Sequence, residues 1–309
     1  MKVLFWGTPA FALPALRALS EEGHDIVAVV TQPDRPAGRG RRLTASAVKE
    51  EALDEMIPVL QPERPHGPEF EAELGALAPE ISVVVAYGQI LRQEILDLPT
   101  RGSVNIHASL LPALRGAAPV HWAIIHGYQT TGVTIMQMEA GLDAGPVLHQ
   151  VEEPIRPDES MSDLGMRLSE IGAEALIGTL TMMETGGIEA VPQDEERATY
   201  APKVDRETAH LDWSLPAIEV GRWIRGLDAA PGAWSLLNGG ESVKLFSPRV
   251  EVRSGEPGTV LDADQEVGVL IAAGHDAVRI REVQPQGKRR MAAGEWIRGR
   301  GVAVGDRFN

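Results

Sequence analysis

The chain predicts a doubly wound α/β domain followed by a small all-β domain. Three observations carry this. Wholly apolar runs alternate with helical segments through the first half, a polar and proline-punctuated stretch interrupts at 188–208, and short strand-like runs separated by turn residues follow it. Runs that stay apolar, instead of alternating with polar residues, belong to parallel strands covered on both faces.

The first run, VLFWG at 3–7, leads into a helix over 11–21. IVAVV at 26–30 and a helix over 45–56 come next, then ISVVVAYG at 81–88, SVNIH at 103–107 and a helix over 117–126. TGVTIMQM and VLHQVEEP supply further strands, and a long helix fills 162–184, closed by Gly186 and Gly187 as C-terminal stop signals. These segments make one domain, 1–187. The stretch 188–208 lacks periodicity and reads as a linker. After a helix over 216–227, the runs AWSLL, SVKLFSPRVEV, GTVLDAD, VGVLIAAG and AVRIREVQP predict a β-barrel or sandwich over 209–309, with a hairpin signal at Asn238, Gly239 and Gly240.

Composition narrows the chemistry. The 309 residues are 43% hydrophobic and 24% charged, as in ordinary globular proteins. MKVLFWG enters a strand pattern without the features of a signal peptide, and no long apolar span occurs, so a cytoplasmic protein is expected. Without cysteine there is no thiolate nucleophile, iron-sulfur cluster or cysteine-zinc site. His121 and His126 are five apart, whereas the two-histidine helix motif needs four, and no bound metal is expected. A net charge of -15 argues against nucleic acid, but it is unevenly spread: residues 205–309 hold 14 basic and 15 acidic side chains, leaving 15 against 29 before them. Within the acidic part, RPAGRGRR at 35–42 carries four arginines and no acid, and 279–300 carries seven basic residues against two acidic ones. Exposed charges act over roughly 8 Å at physiological salt, so such patches can hold anions on an acidic protein.

Ligands of doubly wound sheets bind beyond the carboxyl ends of the strands. GTPAFALP, the first loop there, is neither a dinucleotide fingerprint nor a Walker loop. The segment NIHASLLPALRG at 105–116 is more informative, because Asn105 and His107 alternate onto one face of an extended strand. Asp143 lies in GLDAG, between glycines that permit a tight turn. An amide can donate to a developing oxyanion, an imidazole can move a proton near neutral pH, and a carboxylate can support it. A nucleophile is missing: Ser109 lacks the G-x-S-x-G setting of a hydrolase.

NIHASLLP, then RGAAP, then GLDAG together resemble the signature of the formyltransferases that use 10-formyltetrahydrofolate. GTPAFALPAL, TQPDRPAGRG, VVVAYGQILRQEIL, TGVTIMQM, LDWS and GKRRM extend the resemblance from Gly7 to Met291, towards members that act on aminoacylated tRNA. The resemblance implies a Rossmann-like catalytic domain and a C-terminal OB-like barrel. It implies Asn105, His107 and Asp143 as the catalytic trio, and Ser109, Leu110, Leu111, Pro112 and Tyr87 as folate contacts. Arg39, with Arg35, Gly38, Arg41 and Arg42, matches a loop that meets the acceptor end of tRNA; Lys288, Arg289 and Arg290 are expected at its stem. The co-substrates implied are 10-formyltetrahydrofolate and initiator Met-tRNA, with no obligate protein partner and no membrane. Whether Asp143 acts through His107 or through a water stays open. A sugar-nucleotide N-formyltransferase would keep the trio without the arginine loop, and a non-catalytic folate- or RNA-binding module would not need both His107 and Asp143.

Overall fold

A computed structural model describes residues 1–37 and 42–309. In order, the elements are β1 (Lys2–Gly7), α1 (Leu13–Glu21), β2 (Asp25–Val30), β3 (Arg35–Ala37), β4 (Arg42–Thr44), α2 (Ala47–Asp54), β5 (Val59–Leu60), α3 (Pro68–Ala76), β6 (Ile81–Val85), α4 (Gln93–Leu96) and β7 (Ser103–His107). They continue with α5 (Pro119–Ile125), β8 (Thr130–Gln137), β9 (Val147–Pro154), α6 (Met161–Thr185), α7 (Ala217–Gly226), β10 (Trp234–Leu237) and β11 (Glu241–Glu251). The last are β12 (Val260–Asp264), β13 (Gly268–Ala272), β14 (Ala277–Pro285), β15 (Met291–Ala292) and α8 (Ala293–Arg298). The chain divides into two compact units: Met1–Pro119, Thr130–Pro154 and Gly165–Ala201 form the first, and Val120–Gln129, Ile155–Leu164 and Pro202–Asn309 the second. The stretch expected as a linker is therefore shared, its residues up to Ala201 packing with the first unit.

The first unit is built on a seven-stranded sheet of order β5-β2-β1-β6-β7-β8-β9. β1, β2, β5, β6 and β7 are parallel, as their unbroken apolar runs predict. β8 adds an antiparallel edge: it pairs antiparallel with both β7 and β9, so that β9 again runs in the direction of β7. Apolarity reports burial on both faces and not strand direction. Leu4 and Trp6 of β1 join Ala28, Val30, Val84, Leu74 and Tyr87 in one buried cluster. On β7 the same alternation points Ile106 at α6, where a Cβ added to Gly172 would come within 2.8 Å of its Cγ2. Asn105 and His107 thereby fall on the opposite face.

The second unit carries an antiparallel sheet of order β10-β11-β14-β13-β12, with β15 beside β14. Its two edges are joined by residues 306–309: Asn238 N–H donates to the Arg307 carbonyl, Leu236 exchanges both bonds with Asn309, and Val260 N–H donates to the Asp306 carbonyl. The tail thus bridges β10 and β12 and closes the expected barrel. Val243, Leu245, Val269, Ile271, Val278, Ile280 and Phe308 fill it, and Trp213 donates from its indole nitrogen to Ser235 Oγ at 3.0 Å. Among the described residues, no helix is long and apolar enough to cross a membrane.

Candidate active site

All five residues of β7 are buried, Asn105 and His107 included at 8% and 5% exposure. β6 on one side and β8 on the other hold the strand, pairing Asn105 with Val84 and Met136 and His107 with Thr134. His107 Nε2 lies 3.0 Å from the Leu114 carbonyl. A carbonyl only accepts, so Nε2 carries the proton and Nδ1 is left to accept. Nδ1 faces Asp143 Oδ2 at 3.7 Å, beyond hydrogen-bond distance. The Asn105 side-chain amide has no hydrogen-bond partner among the described residues. Among the described residues, the fully buried side-chain atoms without a partner are the Tyr87 hydroxyl and Arg290 Nε, so the Asn105 amide, on a buried residue, still opens to solvent and is free to donate to a ligand.

The turn after β7 is fixed by Thr134. Its hydroxyl donates to the Ser109 carbonyl at 2.6 Å, while Leu111 N–H and Gln150 Nε2 donate to it at 3.1 Å and 2.9 Å. Ser109 is buried and its own hydroxyl donates to the Ala113 carbonyl at 2.6 Å, so it is committed to turn structure. Leu111 is buried, Leu110 and Pro112 are half-buried, and the Leu111–Pro112 peptide is cis. Leu114, at φ +59, turns its carbonyl towards His107.

Asp143 is brought in by the turn between β8 and β9. Its carboxylate accepts from Gly116 N–H at 2.8 Å. The residue itself sits at φ +50, a left-handed conformation that costs a non-glycine residue about 1 kcal/mol or more. Gln193 Nε2 donates to the carbonyls of Asp143 and Gly145 at 2.9 Å and 2.7 Å. Gly145 is tightly enclosed, since a Cβ there would lie 1.9 Å from the Gln137 carbonyl oxygen. The segment 193–201 lies along the 112–118 loop: Thr199 Oγ1 accepts from Leu114 N–H, and Arg115 exchanges backbone bonds with Thr199 and Ala201. Gln193, Thr199, Thr134 and Gln150 escaped sequence reasoning because each acts on backbone groups, which leave no motif. An amide donor, a ring nitrogen open to accept and a carboxylate thus come together, with no side-chain nucleophile among the described residues around them. Among the described residues, no group of His, Asp and Glu is arranged to hold a metal ion.

Comparison with known proteins places this geometry. Residues 1–180 match the family "Formyl transferase", and residues 203–301 match "Formyl transferase, C-terminal domain". The chain belongs to the formyl transferase family. Its relatives include a methionyl-tRNA formyltransferase of Paracoccus denitrificans, 47% identical with all of both chains covered. Another, of Geobacter sulfurreducens, is 43% identical over 100% of this chain and 96% of the relative. Among solved structures, HypX from Aquifex aeolicus in complex with tetrahydrofolic acid shares the fold at a TM-score of 0.69 and 22% identity; the match covers 96% of this chain and 47% of HypX.

Other residues singled out in this formyl transferase have mixed surroundings. Gly38, Arg39 and Arg41 lie outside the described residues, between β3 and β4. Arg35, on β3, donates to Gln32 Oε1 at 2.6 Å, and Arg42 opens β4. Lys288 is exposed, with no ion pair among the described residues. Arg289 pairs with Glu295 at 3.4 Å. Arg290 is held between Asp228 and Glu282 at 2.8 Å and 2.7 Å, over the Phe246 ring. Further along, Arg279 is buried against Glu251 and Asp262. Three of the seven basic residues in 279–300 are therefore already neutralised by carboxylates, two of them by partners distant in sequence. The segment is less cationic towards solvent than its composition suggests.

Tyr87 is 2% exposed, edge-on to Trp6 with ring centroids 5.2 Å apart, and its hydroxyl is buried without a partner among the described residues. Its carbonyl accepts from Thr8 Oγ1 and Gln32 Nε2. Burial pushes the phenol up to about 12. The unfolded phenol ionises near 10, so the folded state holds its proton longer and loses this stabilisation as pH rises from about 10 towards 12. Tyr87→Phe is expected to stabilise the fold by about 1 kcal/mol at pH 7, since removing an unsatisfied hydroxyl removes its desolvation cost. It should also flatten the alkaline fall; urea unfolding at pH 7 and pH 10.5 measures both.

Proposed function

We propose that this chain transfers the formyl group of 10-formyltetrahydrofolate to the α-amino group of methionine on initiator Met-tRNA, in the cytoplasm where translation starts. The observation that carries the reading is the unpartnered Asn105 amide on the face of β7 that also carries His107, whose Nδ1 faces Asp143, with no side-chain nucleophile among the described residues around them. Relatives named methionyl-tRNA formyltransferase, similar over the full length, support the acceptor.

The nucleophile then belongs to the substrate. An α-amino group has a reference pKa near 8, which leaves a useful neutral fraction at pH 7. As its nitrogen bonds to the formyl carbon, charge builds on the formyl oxygen, and the Asn105 NH2 donates to it. The amine must lose a proton and the leaving N10 must gain one. His107 Nδ1, with Nε2 held by Leu114, and the facing Asp143 carboxylate carry that proton between them. The bond from formyl carbon to N10 then breaks, releasing tetrahydrofolate and N-formylmethionyl-tRNA. The 109–112 turn and Tyr87 are assigned to the folate. The RNA is assigned to the β3–β4 segment with Arg35, Gly38, Arg39, Arg41 and Arg42, and to Lys288 with Arg289.

A formyl-transfer assay offering initiator Met-tRNA, elongator Met-tRNA and an amino-sugar nucleotide together tests this. Initiator Met-tRNA should be formylated preferentially, and no protein-bound formyl group should form when RNA is omitted. Preferential consumption of the sugar nucleotide, or a covalent formyl-protein, would overturn the reading.

A further inference from the structure

We propose that Gln193 is a positioning residue for formyl transfer, the clamp that sets Asp143 against His107; this rests on the role given to Asp143 above. Gln193 falls between the two family matches, which end at 180 and resume at 203. Its side chain nevertheless reaches the centre of the site. Nε2 donates one hydrogen to the Asp143 carbonyl and the other to the Gly145 carbonyl, at 2.9 Å and 2.7 Å. Oε1 accepts from Arg115 Nε and Nη2 at 3.1 Å and 2.8 Å. Both donors are used and the oxygen accepts twice, which exhausts the amide. The orientation is unambiguous, because carbonyls only accept and a guanidinium only donates.

The partners explain why this matters. Arg115 is 2% exposed and runs on into a two-point contact with Glu195 at 2.8 Å and 2.7 Å. Its backbone neighbours are the two groups that hold the catalytic pair: Leu114, whose carbonyl binds His107 Nε2, and Gly116, whose N–H binds the Asp143 carboxylate. One amide therefore ties the loop that orients His107 to the turn that presents Asp143. Asp143 needs such a tie, because its left-handed backbone is not one an aspartate adopts by preference.

The discriminating variant is Gln193→Glu. A glutamate still accepts from Arg115, now as an ion pair, but has no N–H for the two carbonyls. The Arg115 contact survives, while the two donors on the turn are replaced by a carboxylate oxygen that repels the Asp143 and Gly145 carbonyls. Misplacing a catalytic group by about 1 Å can cost on the order of 100-fold, so kcat should fall roughly 10- to 100-fold in both Gln193→Glu and Gln193→Ala. KM for both substrates should hold, even though Tm falls with the lost hydrogen bonds. Activity is read well below the melting transition, so a change in Tm does not enter kcat.

Asp143→Ala and the double variant with Gln193→Glu complete a cycle in full-length protein. If Gln193 works through Asp143, the double variant is no slower than Asp143→Ala alone. Fully additive losses, or wild-type kcat in Gln193→Glu while Asp143→Ala is slow, overturn the clamp and leave the role of Asp143 standing. Wild-type turnover in Asp143→Ala overturns that role, and the clamp with it.

Discussion

Asn105→Ala is expected to lower turnover by about 100-fold or more, equivalent to at least about 2.7 kcal/mol of transition-state stabilisation, as loss of one oxyanion donor does in other enzymes. The size follows from the surroundings. Asn105 is buried to 8% exposure on a strand fixed from both sides, so its amide needs no reorganisation when charge develops. With no partner among the described residues, it has no hydrogen bond within the protein to give up. KM for the folate should change little, because the donor acts on an oxygen that is neutral until the amine attacks. Asn105→Asp, nearly isosteric, should be slower still, since it sets a carboxylate against the oxyanion. Single-turnover formyl transfer with saturating substrates measures the step directly; near wild-type rates for Asn105→Ala would exclude the amide from oxyanion binding.

Gly145→Ala should disable the enzyme from a position that takes no part in the chemistry. The added methyl would stand 1.9 Å from the Gln137 carbonyl oxygen, a backbone atom that cannot swing aside. The turn must move by more than about 1 Å, at an overpacking cost of about 1–3 kcal/mol. Asp143, two residues earlier, moves with it. Turnover should fall by about 100-fold, while thermal unfolding stays cooperative. A folded Gly145→Ala protein with wild-type turnover would show that the enzyme tolerates displacement of this turn.

Parts of this site are legible in the sequence because they obey local rules. Asn105 and His107 share a face through the two-residue period of a strand, and the glycines of GLDAG mark a turn whatever lies around it. The doubly wound half and the small β domain follow from apolar runs and turn residues in the same way. What is not legible depends on partners far along the chain. Arg290 looks like a phosphate-binding cation until Asp228, 62 positions away, and Glu282 are seen to hold it. The reversed direction of β8 is invisible in its apolar content. Gln193 sits in a stretch without periodicity, and its importance lies in two carbonyls about fifty positions earlier.

Closure of the barrel by residues 306–309 bears on how this part of the molecule folds. Arg307 N–H reaches back to Asn238 Oδ1 across 69 positions, and the Arg307 carbonyl accepts from Asn238 N–H. Bringing chain ends together over such a loop costs entropy before any contact repays it. Pairings of that span form late and slowly. Until they form, β10 and β12 each present an unpaired edge, the kind of surface on which strands of other chains can dock. Capture of 306–309 therefore sets the order of events. Hydrogen exchange during refolding should show the amides of Leu236, Asn238 and Val260 gaining protection last among those of the barrel, and the interval before that is when the second unit is most prone to aggregate.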